Sequence, residues 1–271
     1  MAVSNFIPTI WEARLIANYH KASVADVVTT PPTEIKGNKV IFNNVGSVAI
    51  KDYIGEVQWD DLETPTVEID MDQKKYWAIK LDDVDKIQAA GELIDAHTAE
   101  AAATLNELID THVLSKVALG AGKKLGAKTV NGSNAYDLLV DMGTELNKRK
   151  VPKVNRYAVI NSDFLGLLSK DDRFAKQPVT LENGVVEGQI INGFQLIVSE
   201  ELPVNAGAVT VIGLYKGATG HGKQLEETEA MRLQGAFADG MRGLCVHGTG
   251  VIKKEGIVTA EVTIQNAAAG A

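Results

Sequence analysis

The sharpest chemical spacing in this chain is Gly217-Ala218-Thr219-Gly220-His221-Gly222-Lys223-Gln224. It has the G-x-x-x-x-G-K pattern of a phosphate-cradling loop, in which backbone N–H groups and one lysine hold a nucleotide's phosphates. An apolar strand predicted at Val209–Leu214 precedes it, as that motif requires. The closing Ser or Thr that would bind magnesium is replaced by Gln224, however. No apolar strand ending in aspartate offers the second metal contact, and the helical pattern after the lysine is weak. A flexible glycine-rich surface loop is the expected reading, with a nucleotide hydrolase as the distant alternative.

Other reactive residue types lack a working arrangement. The five histidines (His20, His97, His112, His221, His247) show no metal-binding spacing, and no G-x-S-x-G elbow presents a serine. Cys245 is the only cysteine and lies in the apolar run Leu244-Cys245-Val246, which reads as a small buried side chain. One cysteine excludes an intrachain disulfide and fits a reducing cytoplasm. Glu68, Asp70 and Asp72 alternate, hence share one face of a strand, and read as a solvated face before a cation site. The expectation is therefore no catalysis, no metal and no cofactor. Trp59, Tyr76 and Trp77 sit in a polar extended segment, where aromatic side chains are costly unless a partner covers them. With Asp60, Asp61, Lys74 and Lys75 they are the candidate intersubunit contacts.

The elements that would position these residues begin with an arm at 1–36, carrying Phe6, Ile7, Trp11, Leu15 and Ile16 before Pro31-Pro32. In residues 37–82, Val67, Ile69 and Met71 alternate with acids, and Trp77, Ile79 and Leu81 resume the alternation, predicting a β-ribbon. Its outer turn is either 60–65 or 72–74. Such a ribbon is marginal alone and needs cover. A helix is predicted over 83–119, N-capped by Asp82 or Asp83 and ended by Gly120 and Gly122. Its stripe is Ile87, Ile94, Ala101, Leu105, Leu108, His112 and Val117. At 1.5 Å per residue it is a rod of about 50 Å. A second helix is predicted at 136–150 and a short one capped by Ser162. Strands follow at 157–160, 195–198, 209–214, 243–246, 251–252 and 257–264.

Charge narrows the partners. The net charge is −8, and the surplus acid lies in two stretches: 37–82 has 5 basic against 9 acidic residues, and 83–120 has 2 against 7. Tight nucleic-acid binding requires a basic stripe, so a DNA-binding role is disfavoured. No apolar run has the length of a membrane span, and the first ten residues lack signal-peptide character.

Taken in order, several stretches resemble the tailed-bacteriophage major capsid proteins of the Hong Kong 97 type. Residues 76–85 (Tyr76-Trp77-Ala78-Ile79-Lys80-Leu81-Asp82-Asp83-Val84-Asp85) resemble that family's passage from extended loop into spine helix. Residues 156–164, with Leu167-Leu168 and Asp172-Arg173-Phe174, resemble its central strand and following helix. Gly193-Phe194, Ser199-Glu200-Glu201-Leu202-Pro203 and Phe237–Leu244 before His247-Gly248 are similar to later segments. The resemblance implies an α+β fold: N-terminal arm 1–36, extended β-loop 37–82, spine helix 83–122, axial α/β domain 123–240, and a return to the peripheral domain over 241–271. It implies self-assembly into hexamers and pentamers of an icosahedral virion shell, in the bacterial cytoplasm, around double-stranded DNA held without sequence-specific contacts. A portal is a further implied partner. The brief segment before the loop leads to the expectation of a separate scaffolding protein. Some members cross-link a loop lysine to an asparagine, and Lys51, Lys74, Lys75 and Asn266 supply those residue types. A nanocompartment shell of the same fold is the alternative.

Overall fold

The computed structural model describes residues 23–43, 52, 55, 66–82, 91–175, 180–182, 185–233 and 238–265. Along the chain the helices are α1 (Val24–Val28), α2 (Gly91–Leu119), α3 (Ala135–Lys148), α4 (Ser162–Leu168) and α5 (Asp172–Ala175). The strands are β1 (Glu34–Lys36), β2 (Lys39–Asn43), β3 (Thr66–Asp70), β4 (Gln73–Asp82), β5 (Lys123–Val130), β6 (Arg156–Ile160) and β7 (Thr180–Glu182). They continue as β8 (Val185–Ile191), β9 (Phe194–Val198), β10 (Val204–Asn205), β11 (Ala208–Tyr215), β12 (Thr219–Arg232), β13 (Ala238–Val251) and β14 (Ile257–Ile264).

Eight strands form one sheet in the order β5-β14-β11-β6-β9-β8-β7, with β10 paired to β11. Side chains on a strand alternate between faces, so its apolar runs feed two cores. Ala158, Ile160, Leu196, Val211, Val258 and Val262 point to one face and meet Leu138, Leu139, Met142 and Leu146 of α3. Val159, Ile197, Ile212, Leu214 and Ile257 point to the other and meet Ile109, Val113, Leu114 and Val117 of α2. Gly213 interrupts β11 where a Cβ would press on Met142 and Phe194. Two tight hairpins carry positive φ at both central residues, Asn192-Gly193 between β8 and β9 and Ala206-Gly207 between β10 and β11. The buried Arg156 donates to the carbonyls of Pro152 and Val151 and to Asn147 Oδ1, fixing the chain between α3 and β6.

The remaining strands make two smaller sheets, β1-β2-β3 and β12-β13-β4. Here the structure departs from several expectations. The strands at 66–70 and 73–82 do not pair with each other: β3 joins β2, and β4 runs antiparallel to β13 from Gln73↔His247 to Asp82↔Ala238. The turn at 72–74 is thus a crossing between sheets. The connection between β2 and β3 leaves from the Asn43↔Thr66 end, and the other candidate turn, 60–65, lies outside the described residues. Asp82 is the last residue of β4, and Asp83 with the expected start of the helix lies outside the described residues. The strand expected at 243–246 and Val251 of the one expected at 251–252 belong to a single strand, β13, and Ile252 lies just beyond it. The cap of α4 is Asn161, whose side chain accepts from the Phe164 N–H at 3.1 Å, and Ser162 is the first helical residue.

The long helix differs in its buried stripe. Ala102, Leu105, Ile109, Val113 and Val117 are buried, whereas Leu108 is 49% exposed. A second buried line, Asn106, Asp110, Leu114 and Ala118, lies beside the first because α1 covers that flank while the sheets cover the other. The described helix of 29 residues spans about 43 Å. Residues 219–232, expected within the axial part, pair along their length with β13, and 257–264, expected in the peripheral part, lie in the eight-stranded sheet.

Candidate functional site

The segment expected to engage a neighbouring copy is anchored by glycine. Gly220 of β12 stands opposite Gly250 of β13, and Gly222 opposite Gly248. These two cross-strand pairs leave a patch of bare backbone, and β2 and β3 settle onto it. A Cβ at Gly220 would lie within 3.0 Å of Phe42, at Gly222 of Val40, and at Gly250 of Ile69. At Gly248 it would strike the backbone of Asp70 and Met71. Val40, Phe42, Met71 and Val246 form the resulting small core. The bend after β3 is tied down by the Met71 N–H donating to the Asn38 carbonyl at 2.9 Å.

This placement revises the phosphate-loop motif in both of its readings. Lys216–Ala218 is a short 3-10 turn, but Thr219–Arg232 is an extended strand with no helix after it. The glycines are buried against β2, so they form neither a phosphate cradle nor a flexible surface loop. Lys223 instead pairs with Asp26 of α1. The signal available in sequence was the matched Gly-x-Gly on two segments, 220–222 and 248–250.

A carboxylate on the long helix holds the arm. Asp110 accepts from the Ser23 hydroxyl at 2.6 Å and from the backbone N–H groups of Val24 and Ala25, both at 2.9 Å. It thereby caps α1 from outside, an arrangement that sequence reasoning could not find across 85 residues. Burial raises the pKa of Asp110, and the three hydrogen bonds oppose that shift. Beyond α1, Thr30 bridges to Gly220 in parallel, extending the edge of the glycine-bearing sheet.

Among the candidate contacts, Tyr76 is 81% exposed on β4, and Lys74 and Lys75 beside it are exposed. Trp77 is half-buried, its ring lying where a Cβ on Gly243 would be, so the chain itself supplies much of its cover. Trp59, Asp60, Asp61, Lys51 and Asn266 lie outside the described residues, as do the apolar arm positions 6–16. Of the alternating acids, Glu68 pairs with Lys39 at 2.8 Å, which holds its carboxyl below the usual range, and Asp72 is 4.0 Å from Lys116. Among the described residues, no three His, Cys, Asp or Glu side chains are set to hold a metal ion. Cys245 is buried. No helix among the described residues is long and apolar enough to cross a membrane.

A long helix gripped between two sheets, with an inserted segment anchored at its base, is the build of a viral shell subunit. The family model for phage capsid proteins matches residues 65–260, and the chain belongs to that family. Its fold is the Hong Kong 97 type seen in solved tailed-phage capsids. The structure of Mycobacterium phage Che8 is similar at 23% identity and TM-score 0.67, covering 88% of this chain and 90% of that one. The capsid of cyanophage P-SCSP1u is 16% identical with TM-score 0.70, over 90% and 89% of the two chains. The holo-SrpI encapsulin complex of Synechococcus elongatus shares the fold at 11% identity and TM-score 0.57, over 84% and 83%. No curated protein matches the chain in sequence.

Proposed function

We propose that copies of this chain assemble as hexamers and pentamers into a closed icosahedral shell that encloses double-stranded DNA without sequence-specific contacts. Assembly takes place in the bacterial cytoplasm with a separate scaffolding protein, and a portal occupies one vertex. The chain acts as a structural subunit and not as a catalyst. The span 44–65 together with Tyr76, Lys74, Lys75, Trp59, Asp60 and Asp61 supplies contacts to a neighbouring subunit, Trp77 contributing only its uncovered edge. The eight-stranded sheet corresponds to the axial part, and α2 with the two smaller sheets to the peripheral part.

The observation that carries this reading is the glycine seat: it fastens both ends of a long acidic insertion while leaving Tyr76 and two lysines uncovered at its side. Identical contacts repeated around symmetry axes would bury them. Electron microscopy of the purified chain should show closed shells or capsomers, and a stable monomer at high concentration would overturn the proposal. Shells isolated from cells should carry DNA. A packaged enzyme in its place would establish the nanocompartment alternative. The shell protein should also pass through a heparin column at physiological salt.

A further inference from the structure

Three histidines far apart in the sequence meet where the long helix lies on the glycine-bearing sheet. His112 comes from α2, His221 from β12 and His247 from β13. The His112 and His247 rings are 5.1 Å apart at 79°, and those of His221 and His247 are 5.7 Å apart at 65°. His221 is 4% exposed and His247 fully buried. Among the described residues, both ring nitrogens of His112, both of His247 and Nε2 of His221 have no hydrogen-bond partner. His221 Nδ1 lies 3.1 Å from the Gly248 carbonyl and 2.7 Å from Thr249 Oγ1. With its proton on Nδ1 the ring donates to that carbonyl, and Nε2 then carries a bare lone pair inside the stack.

We propose that the His112–His221–His247 stack is a proton-operated latch, which seats α2 on the β12–β13 pair while the imidazoles are neutral and loosens that seat when they gain protons. Neutral imidazoles pack as aromatic rings, edge to face. A proton on His247 places a cation between two rings and away from solvent, a proton on either of the others sets a cation against His247, and a second proton adds repulsion across less than 6 Å.

The surrounding charges do not relieve this. Asp72 faces the stack from the bend before β4, Lys75 from β4, Lys116 from α2, Asp26 from α1 and Lys223 from β12. Asp72 stands against Lys116 and Asp26 against Lys223, so each carboxylate already has a cationic neighbour. Desolvation accordingly lowers the pKa of His112 and brings His221 and His247 down to about 4. Between that value and the ordinary 6.5, the unfolded chain holds protons that the folded one refuses. Stability is therefore complete above pH 6.5 and falls as the pH drops toward 4. At pH 5 each of these two histidines shifts the unfolding equilibrium by roughly 30-fold.

The test uses the full chain. Exchange of the imidazole C2 hydrogens, followed by mass spectrometry, titrates each histidine in the unaltered protein, and His221 and His247 should titrate below pH 5. Amide exchange, corrected for its intrinsic pH dependence, should accelerate at least tenfold in 105–118 between pH 7.5 and 5, relative to 158–160 in the central sheet. His247→Phe keeps an aromatic ring without titration, and His221→Asn keeps a donor for Gly248. In each the acceleration should fall at least fivefold. Titration of both histidines above pH 6 would overturn the latch, as would an unchanged acceleration in folded variants. If neither variant folds, the C2 titration alone decides. Zinc ions that raise the melting temperature at pH 7.5 in the unaltered chain, and in neither variant, would make the stack a metal seat and overturn the proposal.

Discussion

In the eight-stranded sheet, Phe194, Leu196 and Val211 interlock with large side chains from α3, whereas at the loop base Val40, Phe42 and Ile69 sink onto bare glycine backbone. The first contact is several side chains deep, so its energy is spread over many partners. The second is one layer thick, and its fit depends on four missing Cβ atoms. Removing a side chain is the sensitive operation in one region, and adding a single methyl group is the sensitive operation in the other.

Phe194→Ala should separate the two most strongly. It empties a fully buried ring and should cost about 3–5 kcal/mol in chemical denaturation of the whole chain. Gly248→Ala should come next, at about 1–3 kcal/mol, because the new methyl meets backbone of Asp70 and Met71 that cannot rotate away. Its mark is locality: limited proteolysis should cut between 34 and 43 while β6, β9 and β11 stay protected. Protection of both regions alike would erase the distinction.

Asp110→Ala should cost about 1–3 kcal/mol, since it strands the Ser23 hydroxyl and two helix N–H groups. Amide exchange should rise at 24–30 and not in α3. Its pH dependence has the opposite sign to that of the histidines. A carboxyl with a raised folded pKa takes up protons more readily when folded, so its contribution grows as pH falls and shrinks as pH rises through the folded value. Acid should thus loosen α2 on its sheet while the capping contact at α1 holds, as hydrogen exchange at pH 5 would show. The smallest effect belongs to Tyr76→Ala, within about 0.5 kcal/mol on the lone chain because the ring is already exposed. Its consequence should appear only in assembly, as slower or fewer shells by light scattering.

The same contrast explains what the sequence disclosed. The apolar, β-branched runs of β6, β9, β11 and β14 were placed within a residue or so of their observed ends, because burial on both faces writes a continuous apolar signal. The amphipathic α3 was equally legible. Residues 219–224 at the start of β12 read as a loop and β13 as two pieces because glycine replaces the apolar signal where side chains of β2 and β3 do the filling. In α2 the stripe at Leu105 and Val117 was right, but Leu108 was not, since covering by α1 rotates the buried face toward Asp110 and Leu114. Asp110 counted as surplus acid and is a buried cap. The histidine stack leaves no spacing to detect, because each member comes from a different element: the β12–β13 register brings His221 beside His247, and the packing of α2 adds His112.

The pairing of β4 with β13 has a mechanical consequence. Ten residue pairs join them, and β4 follows the loop base after only two intervening residues. A pull on the insertion directed along β4 would strain those rungs side by side, as in a lap joint, while a pull across it would open them one after another, as in a zip. Tension along β4 is therefore resisted collectively before it is passed on toward α2.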